Sequence, residues 1–302
     1  MKVLIVADQN ARFEPRGGEV LLESIKDRLS QFGLFAVDYE RSESGLNSVI
    51  AIFVFSLSAL GKVDAEKFHR AGIPVYCWPF FWSGGEVMGL DERVEYVFNS
   101  KAENDCFVES LRITDPLKCR VVGLPALDRY TPRENKLFCD VIGRTEYLLT
   151  VGTIEERNNQ TGVIELAQGT NAYCVFVGPV VDVEYHQRCL QVAEEAGVEC
   201  LFMGGLPFGG RLINSAYNNC SYYIEVSFDP PGLSSVEAFN SGAKCILSNP
   251  IWVAEVFGDR RGVVALSEGH DTLENIMSTM ENPDERYSGV EFDNFIQSII
   301  SK

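Results

Sequence analysis

Short apolar runs alternate with helix-patterned segments along almost the whole chain, and that rhythm leaves few folds open. Residues 2–7, 48–57, 73–82, 94–99, 147–151, 174–177, 199–203, 222–226 and 245–248 read as strands. Several are nearly continuous apolar runs, as expected of parallel strands buried on both faces. Between them, segments such as 20–32, 63–71, 101–111, 185–196, 212–218 and 233–240 read as helices. Strand–helix alternation packs as parallel sheets with helices on both faces. At 302 residues the chain is long enough for two cores. The expected fold class is therefore α/β, with two doubly wound parallel-sheet, Rossmann-like domains facing a cleft. The expected divisions are 1–135 for a short N-terminal domain, 136–285 for a second domain, and 286–302 for a C-terminal helix packing back on the first. A proline-bearing stretch at 131–145 reads as the linker.

Bulk charge and cysteine usage narrow the function. A formal net charge of −17 disfavours a sequence-independent grip on nucleic acid or on an anionic membrane. Nine cysteines, odd in number and without a C-x-x-C pair, fit free thiols in a reducing compartment. The start runs straight into a strand with no signal-peptide layout, and the longest apolar run, 49–60, is too short to span a bilayer. A soluble, cytoplasmic protein with no transmembrane segment is expected. His69, His186 and His270 are scattered, which points to exposed helix or loop positions and to no metal site. Neither G-x-G-x-x-G nor a P-loop occurs, so a dinucleotide cofactor is not expected.

Chemistry concentrates in residues 222–242. An apolar run breaks at Pro230-Pro231-Gly232, and Leu233, Ser234 and Ser235 open a helix. Such a loop offers unpaired N–H groups and the positive end of a helix dipole to a phosphate. Asp229 and Glu237 stand on either side of that turn, placed to accept hydrogen bonds from hydroxyls on two parts of one ligand. An ordinary crossover in an α/β domain is the alternative reading.

The pattern acid-x-x-Gly-Leu-x-x-x-Glu-Ala-x-x-x-Gly resembles the acidic signature of retaining nucleotide-sugar glycosyltransferases of the GT-B fold, family 4 in particular. Asp229 and Pro231 stand where that family usually has Glu and Phe. The segment Gly152-Thr153-x-x-x-Arg157-Asn158-Asn159 resembles the family's Gly-Thr-x-x-x-Arg-Lys-Asn, whose basic side chains clasp the leaving diphosphate; Asn158 replaces the lysine. By the same resemblance Gly17 and Gly18 face the donor diphosphate and the acceptor, with Arg16 as a helper, and Gly205 and Leu206 lie against the nucleotide base. Packing of a helix N-terminus is the alternative for the glycine pair. Where family members often carry a histidine this chain has Trp78, Trp82 and Ser83, either a sugar-stacking exit or core packing.

The resemblance implies a metal-independent, hexosyltransferase-type glycosyltransferase moving a sugar from a nucleoside-diphosphate donor to a hydroxyl of an unidentified glycan, lipid or protein acceptor. Glu237 would take the donor ribose and Asp229 a hydroxyl of the transferred sugar. Arg157 and the N–H groups of Gly232, Leu233, Ser234 and Ser235 would face the phosphates, with Gly152, Thr153 and Asn158 lining the donor. No cofactor beyond the sugar nucleotide is implied. Asn158 and the missing histidine leave open a weak or inactive GT-B protein that binds a nucleotide sugar or partners an active transferase. A nucleotide-sugar epimerase is a third reading, without a catalytic acid that can be placed.

Overall fold

The structure is a computed structural model that describes residues 1–7, 17–39, 46–80, 90–111, 117–125, 129–132, 135–266, 272–283 and 285–301, with the backbone only at 17–19. Its elements, in chain order, begin with β1 (Lys2–Ala7), α1 (Gly17–Gln31), β2 (Phe35–Asp38), β3 (Val49–Phe55), α2 (Leu57–Leu60) and α3 (Ala65–Arg70). They continue with β4 (Val75–Trp78), β5 (Val94–Phe98), α4 (Lys101–Ser110), β6 (Lys118–Val121), α5 (Leu137–Ile142) and β7 (Leu148–Val151). A 3-10 turn (Glu156–Asn158) leads to α6 (Gln160–Leu166), β8 (Tyr173–Val177), α7 (Val183–Ala196), β9 (Glu199–Met203) and α8 (Arg211–Asn219). The last are β10 (Tyr222–Glu225), α9 (Leu233–Asn240), β11 (Cys245–Leu247), α10 (Pro250–Val256), β12 (Val263–Ala265), α11 (Leu273–Thr279) and α12 (Val290–Ile300).

The chain divides into two compact units. The first comprises Met1–Ala126 with Ser288–Lys302, and the second Leu127–Tyr287. Each holds one six-stranded sheet, ordered β2-β1-β3-β4-β5-β6 and β12-β11-β10-β7-β8-β9, and every pairing is parallel. Central strands bury both faces: Val3, Leu4, Ile5 and Val6 are all in the core, as are Ala51 to Phe55. This is why their sequences run apolar without alternation.

Several short elements carry no such signature. Strand β2 is an edge strand with Phe35 and Val37 exposed, and β6, the opposite edge, carries Lys118 and Arg120, the latter paired with Glu95 at 2.5 Å. Edge strands meet water on one side and need no apolar run. Helix α5 occupies the stretch expected to be a linker, with Phe138 fully buried against Tyr147.

Helix α12 packs within the first unit, where Phe295 (4% exposed) lies against Phe53, Tyr76 and Trp78 with ring centroids 6.0, 5.0 and 6.2 Å apart. Arg28 of α1 donates to Asp293 of α12 at 2.6 Å, fixing the helix from the other side. Trp78 is thus core, enclosed by Phe53, Phe55 and Phe295, and is not available to stack on a sugar. Trp82 and Ser83 lie outside the described residues.

In the second sheet the chain leaves β7 toward β8 and β9, then returns on the other side as β10, β11 and β12. Strands β7 and β10 are neighbours at the point where the strand order reverses, and it is at the carboxyl ends of such strands that α/β sheets bind ligands.

Candidate functional site

The loop after β7 is held by its own polar side chains. Asn158 Nδ2 donates to the Thr153 carbonyl at 2.7 Å and to Thr153 Oγ1 at 2.9 Å, while Gln160 Nε2 donates to the same carbonyl at 2.8 Å. The Thr153 hydroxyl in turn donates to Glu155. Asn159 adopts a left-handed conformation (φ 50°), caps α6 through its bond from Gly162 N, and donates from Nδ2 to the Val226 carbonyl at 3.0 Å. Asparagine tolerates both jobs because its short amide reaches local backbone. On the other side, a Cβ at Gly178 would lie 1.9 Å from the Gly152 carbonyl oxygen, so β8 can approach this loop only with glycine there.

The loop after β10 meets it directly. Phe228 N donates to the Arg157 carbonyl at 2.9 Å, and Arg157 Nη1 lies 3.4 Å from Asp229 Oδ2. Ser227 Oγ donates to the Asp229 carbonyl at 2.8 Å, and Ser248 Oγ to the Ser227 carbonyl at 2.9 Å, pinning the turn from the β11 side. Arg157 also pairs with Glu155 at 3.0 Å and stays about a third exposed. Two residues expected to serve one ligand, Arg157 and Asp229, are therefore in contact, and Gly152, Thr153 and Asn158 belong to the same pair of loops. Asn158, half-buried, spends its amide donors on Thr153, which makes it a staple of this loop.

Gly232 caps α9 without a side-chain bond. The serines that follow are engaged by a residue the sequence reading overlooked: Glu225, the last residue of β10, accepts on Oε2 from Ser235 Oγ at 2.6 Å, Ser234 Oγ at 3.3 Å and Tyr223 OH at 2.7 Å. A carboxylate at a helix N-terminus is favoured by the dipole. An acid closing a strand one loop ahead of two serines was the available signal. Leu233 and Ser235 are buried, and Ser234 is half-buried.

Glu237, on the second turn of α9, is 5% exposed. Tyr217 OH donates to its Oε2 at 2.8 Å, and the Tyr130 hydroxyl lies near the same side chain. Burial pushes its carboxyl up to about 7, a rise that the neighbouring Tyr217 and Tyr130 hydroxyls oppose and the Glu225 charge reinforces. The acid thus lies deep beside two phenols, neither of which was anticipated from the sequence. After β9, Gly205 is exposed and Leu206 half-buried. Gly17 and Gly18 open α1 in the first unit, and Arg16 lies outside the described residues.

Among the described residues no group of three His, Cys, Asp or Glu is placed to hold a metal ion, and no helix is long and apolar enough to cross a membrane. All nine cysteines are free. His69 is exposed as expected, but His186 is half-buried with its ring 4.7 Å from that of Phe202; His270 lies outside the described residues.

No family model matches the chain, and the search of curated proteins finds no match. Solved structures do match. HepE (Alr3699) of Anabaena, solved in complex with UDP-glucose and with UDP and glucose, superposes with a TM-score of 0.73 at 16% identity, covering 100% of both chains. AviGT4, a glycosyltransferase involved in avilamycin A biosynthesis, gives 0.70 at 14% identity over 99% of this chain and 97% of its own. Sucrose-phosphate synthase from Thermosynechococcus elongatus gives 0.68 at 12% identity over 99% and 94%. At such identities the likeness is one of fold, and with two all-parallel six-stranded sheets that fold is GT-B.

Proposed function

We propose that the chain is a retaining glycosyltransferase that takes a sugar from a nucleoside-diphosphate donor and joins it to a hydroxyl of a glycan, lipid or protein acceptor. One observation carries this reading: the Arg157–Asp229 pair closes the two loops that follow adjacent strands β7 and β10, beside a helix whose N-cap is a bare glycine. HepE, of the same fold, is solved with UDP-glucose, and a donor of that class is proposed here.

In the reaction the bond between the sugar anomeric carbon and the diphosphate oxygen breaks, and the diphosphate leaves with the electron pair. The acceptor oxygen bonds to that carbon on the same face, and its proton passes to the departing phosphate. Charge on the leaving group falls to Arg157 and to the first-turn N–H groups of α9, which are fixed before the reaction and need no reorganisation. The reading uses no metal and no cofactor other than the donor. Asp229 takes a hydroxyl of the transferred sugar, Glu237 the ribose, and Gly205 and Leu206 the base. A cytoplasmic location follows from the cysteine usage and is part of the proposal.

The test is a panel of nucleotide sugars followed by release of nucleoside diphosphate, with the parent, Asp229→Ala and Glu237→Ala. Turnover by the parent that both variants lose supports the reading. Failure of every sugar nucleotide to bind or turn over, or undiminished activity in the variants, refutes it.

A further inference from the structure

Among the described residues Glu237 is the one buried carboxylate, and its two partners are tyrosines from separate segments. Tyr217, in the middle of α8 and fully buried, donates to Oε2 at 2.8 Å. Tyr130, 1% exposed and ahead of α5, reaches the same side chain, and its hydroxyl oxygen also accepts from Gly209 N at 3.0 Å. The Gly209 N–H thereby anchors the Tyr130 hydroxyl beside the carboxylate. Gly209 takes φ +63°, which aims its N–H at Tyr130 from the turn after β9. Rings hold the phenols in place: Tyr130 packs on Phe208 and on Tyr217, each with centroids 5.8 Å apart.

A glutamate free to rotate about its side-chain bonds would accept hydrogen bonds from many hydroxyl arrangements. Held by the Tyr217 donor, with the Tyr130 ring packed against that of Tyr217, it offers its remaining lone pairs in a narrower range of orientations. We propose that Tyr217 and Tyr130 are positioning residues that hold the Glu237 carboxylate to recognise the vicinal hydroxyls of a ribose, with Tyr130 tying that recognition to the turn at residues 207–210. The proposal rests on the sugar-nucleotide reading above and adds to it a selection for ribonucleoside over deoxyribonucleoside donors. The titratable groups facing Glu237 are Tyr217 of α8, Tyr130, and Glu225 of β10, with Tyr223 of β10 behind Tyr217.

The experiment compares the parent, Tyr217→Phe and Tyr130→Phe, which keep the packed rings, in calorimetric titrations with UDP and 2′-deoxy-UDP. The parent is expected to prefer UDP, and Tyr217→Phe to lower that preference by about tenfold, the worth of one hydrogen bond to a charged group. Adding Glu237→Gln to Tyr217→Phe should produce little further loss, because both act through one carboxylate. Without ligand, the stability of Tyr217→Phe relative to its Glu237→Gln double variant should change at a higher pH than in the parent, since a hydrogen bond that favours the ionised form is gone. An unchanged UDP preference together with an unmoved pH midpoint overturns the clamp, and Tyr130→Phe supplies the same comparison if Tyr217→Phe does not fold. Should UDP bind neither parent nor variants, the uridine form of the donor reading falls separately, while the pH midpoint still decides for or against the clamp.

Discussion

Replacing Glu237 with glutamine should make the protein more stable and less active, and the gain should depend on pH. The carboxyl titrates at about 7 in the fold against 4.5 for an ordinary glutamate, chiefly because burial penalises its charge. At about 1.36 kcal/mol per pH unit, ionising it inside the fold costs roughly 3 kcal/mol, an upper figure. The sign follows from which state holds the proton. Below pH 4.5 the group is neutral folded and unfolded, so it costs nothing. As pH rises toward 7 the unfolded chain releases the proton while the folded one keeps it, and stability falls; above 7 both are ionised and the loss is complete. Glutamine is neutral at every pH and can still accept from Tyr217. Urea denaturation at pH 5 and pH 8 should therefore show the variant gaining little at the lower pH and up to ~3 kcal/mol at the higher. For a unit of this size that is roughly 6–12 °C in Tm. An advantage of equal size at both pH values would refute the account, because it would mean that Glu237 is not titrating between them. A stabilising change that removes function is what a charge kept buried for catalysis or binding leads one to expect.

Three other changes probe separate parts of the molecule. Arg157→Ala should lower sugar transfer by about 100-fold or more with the urea midpoint little changed, since its side chain is a third exposed and its proposed role is at the leaving group; full activity would remove it from the site. Gly178→Ala forces a methyl to 1.9 Å from the Gly152 carbonyl, so it should cost on the order of 1–3 kcal/mol in a denaturant titration and weaken donor binding with it. Phe295→Ala, which empties a place among Phe53, Tyr76 and Trp78, should cost about 3–5 kcal/mol of stability in the first unit, read from the same titration.

The alternation of apolar runs with helical patterns was enough to foresee two parallel sheets, because strands buried on both faces must be apolar throughout and cannot be mistaken for half-exposed ones. The loops proposed to carry chemistry stood out in the sequence as well. Arg157, Asn159, Asp229 and Gly232 have residue types with narrow local uses: a charge that must find a partner, an amide that caps, a glycine that opens a helix. Edge strands β2, β6 and β12 and helix α5 were not visible, since a strand with one solvated side or a helix of six residues needs no distinctive pattern.

Partnership across long sequence separations was decided by tertiary packing alone. Tyr130 and Tyr217 lie 107 and 20 positions from Glu237, and nothing local in the chain marks them as its neighbours. Glu225 reads locally as the end of a strand, yet parallel packing sets it over the first turn of α9, where it gathers two serines and a tyrosine. Trp78 reads as an exit-loop aromatic until α12 returns to cover it. Local propensity reports what a residue can do; which of its possible partners it meets depends on burial, and burial exists only once the sheets have closed over their helices.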